Sequence, residues 1–149
     1  MRFLLVDRVL EVEPGTRIVG TKLVAMAEDY LTWHFPERPI LPGNLIVASA
    51  AQLAGWLEAV TSDFRNTVLL GELTHARFLR FSVPGDRVTI ELDVEAEGDR
   101  RSWRVKASVD EERRAEFECA GSVVPLADLM DPEQARRDFA LLRGEEVGA

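Results

Sequence analysis

The sequence predicts an α+β fold in which an antiparallel sheet wraps around a central buried helix, with a surface helix added near the C-terminus. Three observations carry that expectation. The second half of the chain alternates apolar and polar residues with the period of a strand, the middle holds a long apolar segment rich in alanine, and residues 131–144 open with a capping signal and close on glycine.

Taken in order, residues 3–12, FLLVDRVLEV, form an apolar opening segment that reads as strand or short helix and stops at Pro14-Gly15. Residues 16–26 are rich in β-branched side chains and read as a strand. Leu45–Leu57 has only Ser49 and Gln52 as polar side chains and several alanines, so helix is favoured, and a helix apolar all round must be buried all round. It is shorter than the roughly 20 residues that cross a bilayer, which assigns it to a core rather than a membrane. Residues 67–83 add a strand before Pro84-Gly85-Asp86 turns the chain. From there Val88, Ile90, Leu92, Val94 and Ala96 alternate with Thr89, Glu91, Asp93, Glu95 and Glu97, a strand with one wet face. Gly98-Asp99 makes a turn, Trp103, Val105, Ala107 and Val109 repeat the pattern, and Ala115–Val124 follows the charged turn DEERR. Three sequential strands joined by short turns make an antiparallel meander. In DPEQARRDFALLRG, Asp131 takes the N-cap, Pro132 the first helical position and Gly144 the end. The last few residues are expected to be disordered.

A chain of 149 residues, 46% hydrophobic and 30% charged, supports one domain over 1–149, with a core at about 3–125 and a C-terminal helix and tail at 131–149. The formal charge of -8 without a dominant basic cluster argues against nucleic acid or an anionic membrane as partner. The N-terminal apolar run ends at Asp7 and has no small-residue cleavage pattern, so the segment is a poor signal peptide and the cytoplasm is expected. Cys119, the only cysteine, has no internal disulfide partner and reads as a small buried hydrophobe in FECAG. Trp33, Trp56 and Trp103 read as packing residues, and His75 as an exposed strand residue.

The chemistry concentrates in HFPERPILPGNLIVASAAQLAG, His34 to Gly55. Imidazole is the side chain whose ordinary titration falls nearest neutral pH, which suits His34 to a general base. Pro36, Pro39 and Pro42 restrict its loop. Pro42-Gly43 opens the helix, whose first N–H groups have no intrahelical acceptor, and Gly43 lets a substrate carbonyl approach. The N–H of Gly43 or Asn44 is the candidate oxyanion donor. Asn44, Ala48, Gln52 and Trp56 share one helix face, with Ser49 about 100° further round the axis.

His34-Phe35-Pro36, Arg38-Pro39, Leu41-Pro42-Gly43 and Ala51-Gln52 resemble the hotdog-fold β-hydroxyacyl-acyl carrier protein dehydratases, whose pattern is close to GHFPxRPxxPGVLxxEAxAQ. The opening LLVDRVLEVEPG and ARFLRFSVPGDRVTIELDV, from Ala76 to Val94, resemble the same family, so the likeness covers about residues 3–125. It implies a hotdog dimer or higher oligomer with the acyl tunnel at the subunit interface, acyl carrier protein as partner, and no cofactor or metal beyond the phosphopantetheine that carries a 3-hydroxyacyl thioester, with coenzyme A as the alternative carrier. His34 would remove the proton beside the thioester carbonyl, and a carboxylic acid on the helix would protonate the departing hydroxyl. Arg77 and Arg80 would lie where the family's tunnel mouth meets an acidic carrier protein.

The family's acid falls at Ala48, which has no titratable atom, while Trp33, Glu37 and Asn44 also depart from the pattern. Water held by Asn44 and Gln52, or by Ser49, would be one repair, against the plainer reading of Ser49 as bonded back to a helix carbonyl and of Gln52 as a hydrogen-bonded interface amide. Glu58 lies too far along the helix, Glu72 would have to reach in from a strand, and a partner chain bearing the acid is the other route. The leading expectation is a dehydratase-like enzyme of fatty acid or polyketide synthesis. Double-bond isomerisation, thioester hydrolysis and a catalytically silent hotdog subunit paired with an active paralogue stay open beside it.

Overall fold

The computed structural model describes residues 4–145, so the expected disorder of the last few residues falls largely outside them. The chain runs β1 (Arg8–Glu13), β2 (Arg17–Leu23), α1 (Gly43–Thr61), β3 (Asn66–Phe78), β4 (Arg87–Glu97), β5 (Arg100–Val109), β6 (Glu112–Pro125) and α2 (Pro132–Leu142). One antiparallel sheet has the order β1-β2-β4-β5-β6-β3, so the meander β4-β5-β6 stands at its centre and β3 at one edge. The opening segment resolves as extended chain into β1, with Leu5 and Val6 buried ahead of it. β3 ends at Phe78, where Leu79 and Arg80 N–H turn to the Arg114 carbonyl, and irregular chain leads on to the turn at Val83–Asp86.

Alternation places the core. Ile18, Ile90, Leu92, Trp103, Val105 and Phe117 point from the sheet onto α1, which answers with Leu53, Ala54 and Leu57. Full burial of side chains of this size stabilises by about 1.5–3 kcal/mol each. At Gly20 in β2 the approach is closest: a Cβ there would stand 2.7 Å from Leu53 Cδ2 and 3.0 Å from the Arg8 carbonyl oxygen. Bulges in β1, β3 and the β5–β6 pair bend the sheet around the helix.

α1 begins two residues before and ends four after the apolar stretch that announces it. It is not buried all round: Asn44 is exposed, and Ala48, Ala51, Gln52 and Gly55 are half-buried. The sheet is concave on one side only, so the opposite face of the helix keeps a partly open stripe. Trp56 and Trp103 pack in the core as expected, but Trp33 is 80% exposed because the loop carrying it projects away from the sheet. α2 has Asp131 as N-cap, accepting from the Gln134 N–H at 3.1 Å, and buries Ala135 and Leu142. No helix among the described residues is long and apolar enough to cross a membrane.

Candidate active site

The loop from Val24 to Leu41 carries His34 to the start of α1, and its backbone is tied at many points. Ala25 N–H donates to the Glu28 carboxylate at 3.1 Å, and Glu28 pairs with the buried Lys22 at 3.3 Å. Burial pushes the Glu28 carboxyl up, but the nearby Tyr30 hydroxyl, the Ala25 N–H and the Lys22 ammonium together hold it below its ordinary value. His34 N–H donates to the Tyr30 carbonyl at 3.1 Å, Ile40 N–H to the His34 carbonyl at 2.9 Å, and Leu41 N–H to Ser82 at 2.8 Å. The three prolines thus sit in a loop that is also pinned by hydrogen bonds at both ends.

The ring of His34 is half-buried and stacks on Phe35, centroids 4.7 Å apart. Its Nδ1 lies 3.1 Å from the Ile40 carbonyl oxygen. A carbonyl only accepts, so Nδ1 carries a proton, and in the neutral ring the lone pair falls to Nε2. Among the described residues Nε2 has no protein hydrogen-bond partner, which is the state a general base requires.

Helices favour Ser, Thr, Asp or Asn as N-cap. Here Pro42 holds that position, no side chain caps the helix, and its first turn has no acidic residue. Leu45 N–H turns back to the Pro42 carbonyl at 3.0 Å, leaving the Gly43 and Asn44 N–H groups as the outward donors of the first turn. Glycine at 43 lets Phe78 pack directly on the helix start: a Cβ would stand 2.7 Å from Phe78 Cε1, and the phenyl ring would have to shift. Phe78 therefore covers the helix start, a contact between residues far apart in sequence.

The remaining expected site residues separate. Ala48 is half-buried on the open face of α1, between exposed Asn44 and Gln52. Ser49 is fully buried and donates to the Leu45 carbonyl at 2.6 Å, so the plain reading holds and it orients no water at the site. Gln52 Oε1 accepts the Leu5 N–H at 2.9 Å, fastening the N-terminal segment to the helix. Glu58 is buried against Arg101 at 2.9 Å, and Glu72 pairs with Arg100 at 2.9 Å, so neither reaches Ala48. Arg77 and Arg80 lie beside Glu116 (3.1 Å) and Glu112 (3.7 Å).

Two residues near the mouth were not singled out from the sequence. Arg38 places its guanidinium 5.9 Å from the centroid of Phe81, and it lines, with Phe78, Phe81, Arg80 and Arg114, a depression of about 560 Å³. Arg114 donates to the Phe81 carbonyl. The signal for Arg38 was its place in the HFPERP loop; for Phe78 there was none, because only folding brings it to Gly43.

Comparison with known proteins agrees with this geometry. The sequence model of the FabA-like domain matches residues 1–130. The chain is 39% identical over 118 residues to a 3-hydroxyacyl-acyl-carrier-protein dehydratase FabZ of Clostridium novyi, covering 78% of this chain and 83% of the relative. It is 39% identical over 138 residues to the FabZ of Symbiobacterium thermophilum, covering 90% and 94%. Among solved structures, the dehydratase heterocomplex ApeI:P of Xenorhabdus doucetiae superposes with a TM-score of 0.63 at 14% identity, over 79% of this chain and 81% of that one, a likeness of fold. An antiparallel sheet wrapped on one helix is the hotdog architecture, and the chain belongs to the FabA-like dehydratase family.

Proposed function

We propose that this protein dehydrates 3-hydroxyacyl thioesters borne on the phosphopantetheine of acyl carrier protein, as a cytoplasmic step of fatty acid synthesis, with His34 as the sole proton-transfer residue of its own chain. The observation that carries the reading is the His34 ring, with Nδ1 donating to the Ile40 carbonyl and Nε2 without a protein partner among the described residues, in the loop that leads into the uncapped start of α1. No further cofactor enters the reaction.

Nε2 takes a proton from the carbon next to the thioester carbonyl, and the electron pair moves onto the carbonyl oxygen. The Gly43 and Asn44 N–H groups hold that charge; a donor of this kind is worth about 3 kcal/mol of barrier. When the pair returns to form the double bond, the carbon–oxygen bond at the β-carbon breaks, and the departing hydroxyl takes the proton back from the His34 imidazolium to leave as water. One residue serves as base and then as acid, which costs the separate acid's contribution of about 10² to 10⁴ in rate. The reading therefore predicts slow turnover.

The edge strand β3 exposes Leu69, Leu70, Leu73 and Phe78, and an apolar strand edge of this kind supports assembly as a dimer through β3. Ala48 favours a second arrangement, in which the partner is a different chain of the same fold that bears the acid. Arg38, Arg77 and Arg80 supply the positive charge for an acidic carrier protein.

The test is incubation of the purified chain with a 3-hydroxyacyl carrier protein while enoyl formation and thiol release are followed together. Slow enoyl formation that disappears in His34→Ala is expected. Thiol release without enoyl product, or dehydration that survives His34→Ala, overturns the assignment. A large rate increase on adding an acid-bearing dehydratase chain, itself made inactive at its histidine, selects the mixed dimer.

A further inference from the structure

We propose that Glu28 is a positioning residue for His34, its carboxylate tying the turn that carries the histidine to the buried Lys22 of β2. The proposal rests on the reading of His34 as the base, and Glu28 acts on it through the backbone rather than on the imidazole.

Glu28 stands at the start of the short 3₁₀ turn Asp29–Thr32, where a side chain would ordinarily cap, yet it makes no such cap. Its carboxylate turns back instead: one oxygen accepts the Ala25 N–H at 3.1 Å and the other meets the Lys22 ammonium at 3.3 Å. Lys22 is 4% exposed and lies in a strand paired on both sides, so this anchor is part of the sheet. A buried ammonium needs a counter-charge, and Glu28 supplies it. Burial first, and then the Glu28 and Asp7 carboxylates, push the Tyr30 hydroxyl up, so its proton stays on near the same carboxylate.

The other side of the tie is backbone. The Glu28 carbonyl accepts the Leu31 N–H at 3.1 Å, and the Tyr30 carbonyl accepts two N–H groups, that of Trp33 at 3.3 Å and that of His34 at 3.1 Å. From His34 to Ile40 the chain then closes on itself, through the Ile40 N–H on the His34 carbonyl and the reciprocal Phe35 and Arg38 bonds at 3.1 Å. That closed unit carries the ring and the Ile40 carbonyl together. Its internal geometry is its own, but its placement depends on the attachments at Tyr30 before it and at Leu41 after it. Leu31, 3% exposed, holds the turn to the core by apolar packing, which is non-directional. Glu28 adds the directional contacts, and a misplacement of about 1 Å can cost about a hundredfold in rate.

The test compares Glu28→Ala and Glu28→Gln with Arg101→Met, which breaks a buried ion pair toward the C-terminal end of α1. Circular dichroism establishes folding, and Glu28→Gln, equal in size and still an acceptor for the Ala25 N–H, is read if Glu28→Ala does not fold. The chain has two histidines, so labelling histidine alone with a heavy nitrogen isotope gives two backbone amide signals, with exposed His75 as internal reference. In the Glu28 variants the His34 amide should exchange with deuterium at least about tenfold faster, because the loop opens locally rather than with the whole fold. The ring should keep its Nδ1 proton, since the Ile40 carbonyl moves with it. For enoyl formation kcat should fall at least about tenfold with KM within about twofold, because bound substrate meets a misplaced base. Arg101→Met should change neither. Folded Glu28 variants whose His34 exchange or kcat stays within about twofold overturn the proposal. So does Arg101→Met speeding the exchange as much, which would make the effect a general loosening. Because exchange is read without turnover, a chain that dehydrates nothing but whose His34 amide follows Glu28 would refute the reaction and leave the positioning role standing.

Discussion

Ala48→Glu is the most informative change this chain allows. Ala48 is five residues into α1, about 7.5 Å along the axis from Gly43, and half-buried on the stripe the sheet leaves open. A side chain there extends from the open stripe rather than into packed core, and alanine and glutamate are both good helix formers, so the fold should lose less than about 1 kcal/mol. What the substitution adds is an acid for the departing hydroxyl, freeing His34 from doing two jobs. A positioned acid contributes about 10² to 10⁴ in rate, about 3–5 kcal/mol of barrier. Enoyl formation from a short 3-hydroxyacyl thioester should therefore rise by at least about a hundredfold, while Ala48→Gln, of the same size without the proton, should leave it unchanged. Adding His34→Ala to Ala48→Glu should remove the gain. A folded variant that binds substrate yet gains less than tenfold would refute the reasoning, because the pocket would then be shaped for other chemistry.

Three further outcomes test the framework that holds the site. Glu58 and Arg101 have side chains only 9% and 18% exposed, so Arg101→Met strands a buried carboxylate and should lower unfolding stability by about 3 kcal/mol or more in urea titration; a loss under about 1 kcal/mol would show the pair to be solvated. Glu28 has its folded carboxyl below the ordinary value, so its contribution is complete above the ordinary carboxylate range and lost as pH falls through the folded value. Glu28→Gln should destabilise the protein at neutral pH by an amount that shrinks toward about pH 3, whereas an equal difference at both would refute the linkage. Burial pushes the Cys119 thiol up to about 11, so Ellman's reagent should be inert toward the native chain at pH 8, about where a free thiol reacts, and label it once denatured.

The meander was legible because alternation fixes both the strand type and its wet face: Val88, Ile90 and Leu92 and then Trp103 to Val109 are buried as the pattern requires, while Val94 is half-buried and Ala96, near the end of β4, is exposed. The order of strands was less so. Sequence neighbours suggest β3 beside β4, but β3 pairs with β6 at the far edge, and residues 79–86 carry the chain back to β4 beside β2. The ends of α1 were lost to polarity, since Asn44, Glu58 and Thr61 break an apolar count without breaking a helix. Trp33 was misplaced because an aromatic in a loop has no periodicity to betray its exposure. At the site, residue types were legible and geometry was not. A motif names His34, but the carbonyl that fixes its tautomer belongs to Ile40, and only the turned-back loop brings the two together.

That tautomer bears on whether the chain is a working enzyme or a scaffold. A histidine kept only for packing gains from satisfying both ring nitrogens, since each unmet polar atom in a half-buried ring costs hydrogen-bonding free energy. Here one nitrogen is fixed by the Ile40 carbonyl and the other has no protein partner among the described residues, in a loop that leads into an uncapped helix start. The same choice recurs at Pro42, where a Ser or Asp cap would have stabilised α1 by about 1 kcal/mol while occupying the N–H groups an enolate needs. Two local stabilisations are forgone within one short loop, and both omissions fit the proton transfer proposed for His34. With Ala48 in place of an acid, the roles proposed for His34, Gly43 and Asn44 are those of a slow dehydratase, and a silent subunit has no need of either omission.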